Sequence, residues 1–268
     1  MLMNLKGYIL GLLINFQFFS IVPIPLTINT DRTIIRRAVM TFPIFGLILG
    51  AVNGVIFSLL NECTLLSSLA LSFIIWVIPI VLTGGIHLDG WMDTSDAYFS
   101  YQDKEKRLEI MKDPRAGAFA VLSLLILLAA RFLFIYESIL HNIYAAAFIV
   151  GLIPFFSRTL MGILMVLSVT AKEEGMAFYF KKHTEPRLLL FYLLPMSIAA
   201  CGVLMFLPDI LFLYLMFTVL ILLAAIWIKQ KTVQQFGGMT GDTLGASVEG
   251  IEVILWMAVW LLAYTGML

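Results

Sequence analysis

Three aspartates share one short stretch, Gly84-Gly85-Ile86-His87-Leu88-Asp89-Gly90-Trp91-Met92-Asp93-Thr94-Ser95-Asp96. Asp89, Asp93 and Asp96 stand at i, i+4 and i+7. At about 100° per residue, a helix would hold all three within an arc of roughly 60°. Carboxylates that close repel one another unless protons or a cation lie between them. Oxygen ligands favour magnesium, manganese or calcium over zinc. Magnesium held by carboxylates at a membrane edge suits phosphoryl chemistry, because the ion neutralises charge developing at phosphorus. The plain alternative is a solvated helix face. It accounts for 103–113, where Lys104, Glu105, Lys106, Arg107 and Glu109 mix both signs around Leu108 and Met111. It accounts poorly for 89–96, where no basic residue intervenes, so a metal site is the preferred reading.

His87 lies two residues before Asp89. Its type and place suit a metal ligand, a general base for a hydroxyl nucleophile, a partner of a carboxylate, or a structural residue at a helix end. Lys112-Asp113-Pro114-Arg115-Ala116-Gly117 closes the same segment. Residues before proline leave the helical region, so the chain breaks at Asp113. Lys112 and Arg115 suit a clamp on phosphate oxygens, or simply the basic flank of a membrane helix.

A second polar stretch runs Gly237-Gly238-Met239-Thr240-Gly241-Asp242-Thr243-Leu244-Gly245-Ala246-Ser247. Its glycines let backbone N–H groups approach an anion, and Asp242 or Thr243 is placed to cap the helix that follows. It reads equally as a glycine-rich turn, and it is neither a Walker A nor a dinucleotide fingerprint. Glu249 and Glu252 follow and could add carboxylates to the same site. Arg131 and Arg158 sit inside apolar stretches, where an unpaired cation is expensive. Arg158 suits either a site cut into the membrane or a structural pair with Glu137 or a polar group of another span.

Composition dictates the elements that must position these groups. Of 268 residues, 61% are hydrophobic and only 13% charged, with mean hydropathy +1.00. An ordinary soluble domain carries about a quarter charged residues. That deficit excludes a soluble enzyme, a disordered chain and a nucleic-acid binder with a basic surface. Lys+Arg and Asp+Glu are 17 each, so net charge is silent on partners and a homo-oligomer is allowed. Cys63 and Cys201 form no framework and read as small apolar fillers. The N-terminus lacks a cleavable signal pattern.

A bilayer span needs about 20 apolar residues. Seven stretches qualify, near 39–60, 64–83, 117–136, 144–168, 188–207, 210–228 and 251–268. Tyr8 to Val22 is shorter, ends at Pro23 and Pro25, and reads as an interfacial or re-entrant helix. The prediction is all-α: a polytopic integral membrane helical bundle of about seven transmembrane helices, with residues 1–268 as one membrane domain. Fifteen of the 17 basic residues fall before the first span or in segments 84–116, 169–187 and 229–250, and none falls in the intervening short loops. Basic loops stay inside. The N-terminus and segments 84–116 and 229–250 are therefore expected to be cytoplasmic, and the C-terminus outside, in a bacterial-type cell (inner) membrane.

Three separated blocks carry a family resemblance. Gly84-Gly85-Ile86-His87-Leu88-Asp89-Gly90 with Asp93 and Asp96, then Glu109-Ile110-Met111-Lys112-Asp113-Pro114-Arg115-Ala116-Gly117, then Thr240-Gly241-Asp242-Thr243-Leu244-Gly245-Ala246 resemble the cobalamin synthase family. Phe16-Gln17-Phe18-Phe19-Ser20-Ile21-Val22-Pro23-Ile24-Pro25 is similar to that family's opening. Trp91-Met92, Ser95 and the segment 97–100 depart from it, in ways that touch loop shape more than the acidic residues. The resemblance implies an adenosylcobinamide-GDP ribazoletransferase of the last stage of cobalamin assembly. Such an enzyme joins adenosylcobinamide-GDP to α-ribazole, or its 5′-phosphate, releases GMP and uses magnesium. It further implies Asp89, Asp93, Asp96 and Asp242 as metal ligands, with His87 and Asp89 catalytic. Lys112, Arg115 and Arg158 become phosphate clamps, and Thr240 and Asp242 join substrate binding.

Two rivals differ in class. A phospholipid synthase acting on a CDP-activated lipid also clusters aspartates, but its Ala-Arg element is missing after Asp89-Gly90, and the spacing to the later aspartates is too short. A cation transporter would place its acidic residues at mid-membrane.

Overall fold

The computed structural model describes residues 2–141 and 143–268. Its elements are α1 (Leu2–Phe19), α2 (Arg32–Met40), α3 (Phe42–Cys63), α4 (Ser68–Thr83), α5 (Ile86–Phe99), α6 (Lys104–Ile110), α7 (Ala118–His141), α8 (Ile143–Leu167), α9 (Gly175–Lys181), α10 (Leu190–Phe206), α11 (Leu211–Phe236) and α12 (Gly241–Tyr264). Short 3₁₀ turns lead into α10 and α11. Among the described residues the sole bridge of strand type is an isolated parallel one, Thr170 to Met239. Six helical stretches are long and apolar enough to cross a membrane: α3, α7, α8, α10 and α11 with their 3₁₀ turns, and α12. The expected seventh, α4, reaches that length only together with α5, and the two meet at 87°, which lays α5 across the starts of α7 and α12. The chain is a multi-pass helical bundle. Leu193, Leu194, Ile198, Leu222, Leu223 and Trp227 face outward, as lipid contact requires of helices whose backbone groups are bonded internally.

The stretch near 64–83 is shorter than its apolar length implies. Ser67 caps α4 by accepting the Ala70 N–H, and left-handed Gly84 ends it, leaving 16 residues. The final helix, conversely, begins at Gly241, ten residues before the apolar run. Most of the expected 229–250 loop is therefore helix. The N-terminal helix ends at Phe19, three residues short of the expected Val22. Buried Asn15 ties it to α2 by donating to Ala38 O at 2.9 Å and Thr41 Oγ1 at 3.1 Å. Cys63 and Cys201 are free and exposed.

α8 runs through the centre, with Phe155, Phe156, Leu160 and Leu164 fully buried. α3 lies directly on it through Gly46, Gly50 and Gly54, where an added Cβ would strike Pro154 O, Gly151 O and Ala147 O. Small residues one turn apart permit this approach, and close packing replaces the hydrophobic drive that lipid does not supply. α12 is tied to its neighbours by charge. Arg131 of α7 bonds Glu249, Arg158 of α8 bonds Glu252, and Ser157 donates to Glu252 Oε1 at 2.9 Å. All five side chains are buried.

Candidate active site

The site begins where α4 turns into α5. Gly84 and Gly85 both have positive φ, +63° and +73°, a conformation glycine adopts without the penalty a side chain would bring. Their N–H groups close α4 on Val81 O and Ile80 O. The helix break expected of this glycine pair is thus present. The redirected α5 crosses the first turns of α12 at backbone contact. A Cβ on Gly90 would stand 2.7 Å from Asp242 O, and one on Gly245 would stand 3.2 Å from His87 Cα. Two glycines, one from each motif, bring His87 and Asp89 beside Asp242.

The start of α12 is fixed by Thr240. Its hydroxyl accepts the Thr243 N–H at 3.1 Å, and its own N–H donates to Thr243 Oγ1 at 2.8 Å. Thr240 is the cap, where Asp242 or Thr243 was expected. Asp242 occupies the first turn, at the positive end of the helix dipole. The preceding turn is joined to residues 169–171: Met239 N–H donates to Val169 O and Ala171 N–H to Met239 O. Gly238 makes this approach possible, since a Cβ there would lie 2.6 Å from Ala171 N. The pairing brings Lys172 to the site.

These elements enclose a cleft of about 520 Å³. α5 and α12 contribute His87, Asp89, Thr240 and Asp242, while the segments after α6 and α8 contribute Lys112, Lys172 and Glu174. Lys112 bonds Glu174 at 2.6 Å, and Lys172 donates to Leu108 O at 3.3 Å. Burial, with Lys112 close by, holds the Lys172 ammonium below its ordinary pKa. Phe19, Met161, Met165, Met239 and Leu244 supply an apolar wall.

His87 is 3% exposed, stacks on Phe19 at 6.1 Å, and its Nε2 has no hydrogen-bond partner among the described residues. Burial first, then the charges of Arg158 and Arg131, push its pKa well below the usual value. Asp93, one turn beyond Asp89, is pushed up to about 6 by burial and by the carboxylates of Asp89, Asp242 and Asp96. The acidic cluster is real as an electrostatic unit.

It is not a ready-made metal cage. Among the described residues no group of three or more His, Cys, Asp or Glu side chains is arranged to hold an ion. Asp89 and Asp242 line the cleft, and Asp93 does not. Asp96 faces α7, where its carboxylate accepts the N–H groups of Gly117 and Ala120 and caps that helix. Arg115 is exposed, pairs with Asp113 at 2.6 Å and lies outside the cleft. Arg158 also lies outside it, committed to Glu252. Glu249 and Glu252 belong to that buried tie and add no carboxylate to the cleft. Lys172 and Phe19 are among the contributors that sequence reasoning misses. Lys172 stood only among the basic loop residues, and Phe19 had a place in a motif but no role.

The profile of a family described as cobalamin-5-phosphate synthase matches residues 11–260. A protein of Geobacillus sp. (strain WCH70) named adenosylcobinamide-GDP ribazoletransferase is 37% identical, covering 94% of this chain and 95% of its own. Relatives of the same name from Geobacillus thermodenitrificans and Halalkalibacterium halodurans are 38% and 34% identical. They cover 96% and 93% of this chain, and 97% and 95% of their own. No solved structure matches the chain.

Proposed function

The chain belongs to the cobalamin-5-phosphate synthase family, and from that premise we propose that the cleft transfers the corrinoid phosphate of adenosylcobinamide-GDP to ribazole, releasing GMP. The observation that carries the reading is the composition of a single cleft: three carboxylates, two lysines and a buried histidine whose Nε2 has no partner among the described residues. A ribazole hydroxyl attacks the phosphorus attached to the cobinamide. Its oxygen forms the new P–O bond, the bond to the GMP phosphate breaks, and the hydroxyl proton passes to His87 Nε2. Lys112 and Lys172 hold the oxygens of the departing phosphate, an arrangement suited to the charge that builds there.

Magnesium belongs to this proposal. It is typically held by one or two carboxylates together with substrate phosphates, which is what Asp89 and Asp242 offer, so the donors present fit the ion without a third protein ligand. When bound, it neutralises charge on the pyrophosphate. Asp93 acts from behind these two, raising the negative potential. The cleft opens at the end of the bundle that carries α5, α6, α9 and the start of α12. That end holds the basic segments, so it faces the cytoplasm of the cell membrane.

The test is GMP release by detergent-purified protein supplied with adenosylcobinamide-GDP, α-ribazole and Mg²⁺. Release that stops with EDTA and in Asp89→Asn is the expected result. A folded protein that releases no GMP refutes the proposal, and release indifferent to EDTA removes the metal from it.

A further inference from the structure

The cleft lining changes from its open to its buried end. The open end holds the ion pair of Lys112 and Glu174, with side chains 61% and 65% exposed, beside the apolar Ile86 and Met176 at 41% and 42%. The buried end is formed by Phe19, Met161, Met165, Met239 and Leu244, each below 9% exposure. The polar atom left without a partner at that end, among the described residues, is His87 Nε2. The hydroxyls of Thr240 and Thr243 are engaged with each other and with the sulfurs of Met111 and Met239. An apolar chamber below a phosphate-binding mouth has to receive an apolar part of a reactant.

Resting on the function proposed above, we infer that the methionine-lined end of the cleft is the subsite for the aromatic base of the ribazole acceptor. Two flat bases compete for it. Guanine carries donors and acceptors along its edge, and burying these against methionine, phenylalanine and leucine would leave them unpaired, at a cost in binding. The dimethylbenzimidazole of ribazole presents methyl groups and a hydrocarbon edge, which this wall satisfies. Methionine sulfurs contact aromatic rings favourably, and the unbranched side chain adapts to their shape. The geometry of displacement agrees. In-line attack sets the incoming hydroxyl and the departing phosphate on opposite sides of phosphorus. With the lysines at the mouth holding the GMP phosphate, the acceptor enters from the His87 end, within reach of the base that takes its proton. The guanine then lies outside the chamber, and so does the bulk of the corrinoid, for which 520 Å³ is the volume of one drug-sized group.

The test measures the KM of each substrate through GMP release by the full-length protein in detergent. In Met161→Gln and Met165→Gln the KM for α-ribazole rises about tenfold or more, the KM for adenosylcobinamide-GDP stays within about twofold, and Met161→Leu rescues most of the change. In the wild-type protein, free dimethylbenzimidazole competes with α-ribazole and not with adenosylcobinamide-GDP, so the result does not depend on a variant that folds. A rise in the KM for adenosylcobinamide-GDP instead, competition against that substrate, or an unchanged α-ribazole KM in folded variants overturns the assignment while leaving the transferase reading intact. A wild-type protein that releases no GMP removes the transferase reading itself.

Discussion

The contact between α5 and α12 makes a sharp prediction at Gly90. A methyl group there would stand 2.7 Å from Asp242 O and 3.0 Å from Asp242 Cα, against 3.4 Å or more for an ordinary contact. Both obstacles are backbone atoms, so no side chain can turn aside. The helices must part by about 0.7 Å, and the shift falls directly between Asp89 and Asp242. A misplacement of about 1 Å costs on the order of 100-fold in rate, so Gly90→Ala should lower kcat on the order of 30-fold. Gly245→Ala meets His87 Cα at 3.2 Å, needs only a few tenths of an ångström, and should lose less. Gly202→Ala in α10, with nothing within 4 Å, is the control and should match the wild type. The assay is GMP release at saturating substrates and magnesium, with thermal unfolding in detergent recorded for each variant. Gly90→Ala with wild-type kcat, or a loss in Gly245→Ala that exceeds it, would refute the reasoning that this crossing sets the site.

Other expectations separate residues that the sequence groups together. Asp89→Asn and Asp242→Asn should abolish GMP release without lowering thermal stability, whereas Asp96→Ala should cost about 0.5–2 kcal/mol of stability through the lost cap on α7 and keep turnover. Differential scanning fluorimetry beside the activity assay reads both. The raised pKa of Asp93, about 6, means that protons compete with a cation for the acidic cluster. Mn²⁺ affinity, followed by electron paramagnetic resonance, should hold above pH 7, fall as pH drops through about 6, and lose that inflection in Asp93→Asn. Glu252→Ala leaves Arg158 buried and unpaired and should cost about 3–5 kcal/mol, while Arg158→Met with Glu252→Met should recover most of it. Full stability of that double variant without GMP release would return Arg158 to substrate binding.

Much of the bundle is legible in the sequence, because membrane helices announce themselves by apolar length alone. The glycine pair at 84–85 is legible for a related reason: few other residues accept two consecutive left-handed conformations. The acidic motif shows where reading by angle fails. Asp96 is only about 20° from Asp89 around the helix but seven residues, about 10 Å, along it, and that distance carries it to the next helix terminus. The same rise explains Glu249 and Glu252. Seven and ten residues beyond Asp242, they lie about 10–15 Å down the axis and meet Arg131 and Arg158 instead of a cation in the cleft. Lys172 was hidden for another reason. It reaches the cleft through the pairing of residues 169–171 with Met239, a contact across some 70 positions that no local periodicity encodes. The one clue, two glycines before Met239, fixes the need for a close approach but not the partner.

The division of labour along α12 follows from the solvent around it. Lipid gives helices no hydrophobic reason to choose one axial register over another, so packing and polar contacts must choose. A slip of one residue moves a helix by about 1.5 Å, more than the α5 crossing tolerates at Gly90 and Gly245. The upper turns of α12 cannot supply the restraint themselves, because their glycines and small residues are spent on close approach and Asp242 faces the cleft. Restraint comes from below, where Glu249 and Glu252 meet cations fixed on two different helices. Two arginines and two glutamates make a neutral set, so burying them leaves no net charge in the bilayer, and a slip in either direction would strand both acids. The charges deep in the bundle and those in the cleft therefore do different work on the same helix: one pair sets its height, and Asp242 acts at the height so set.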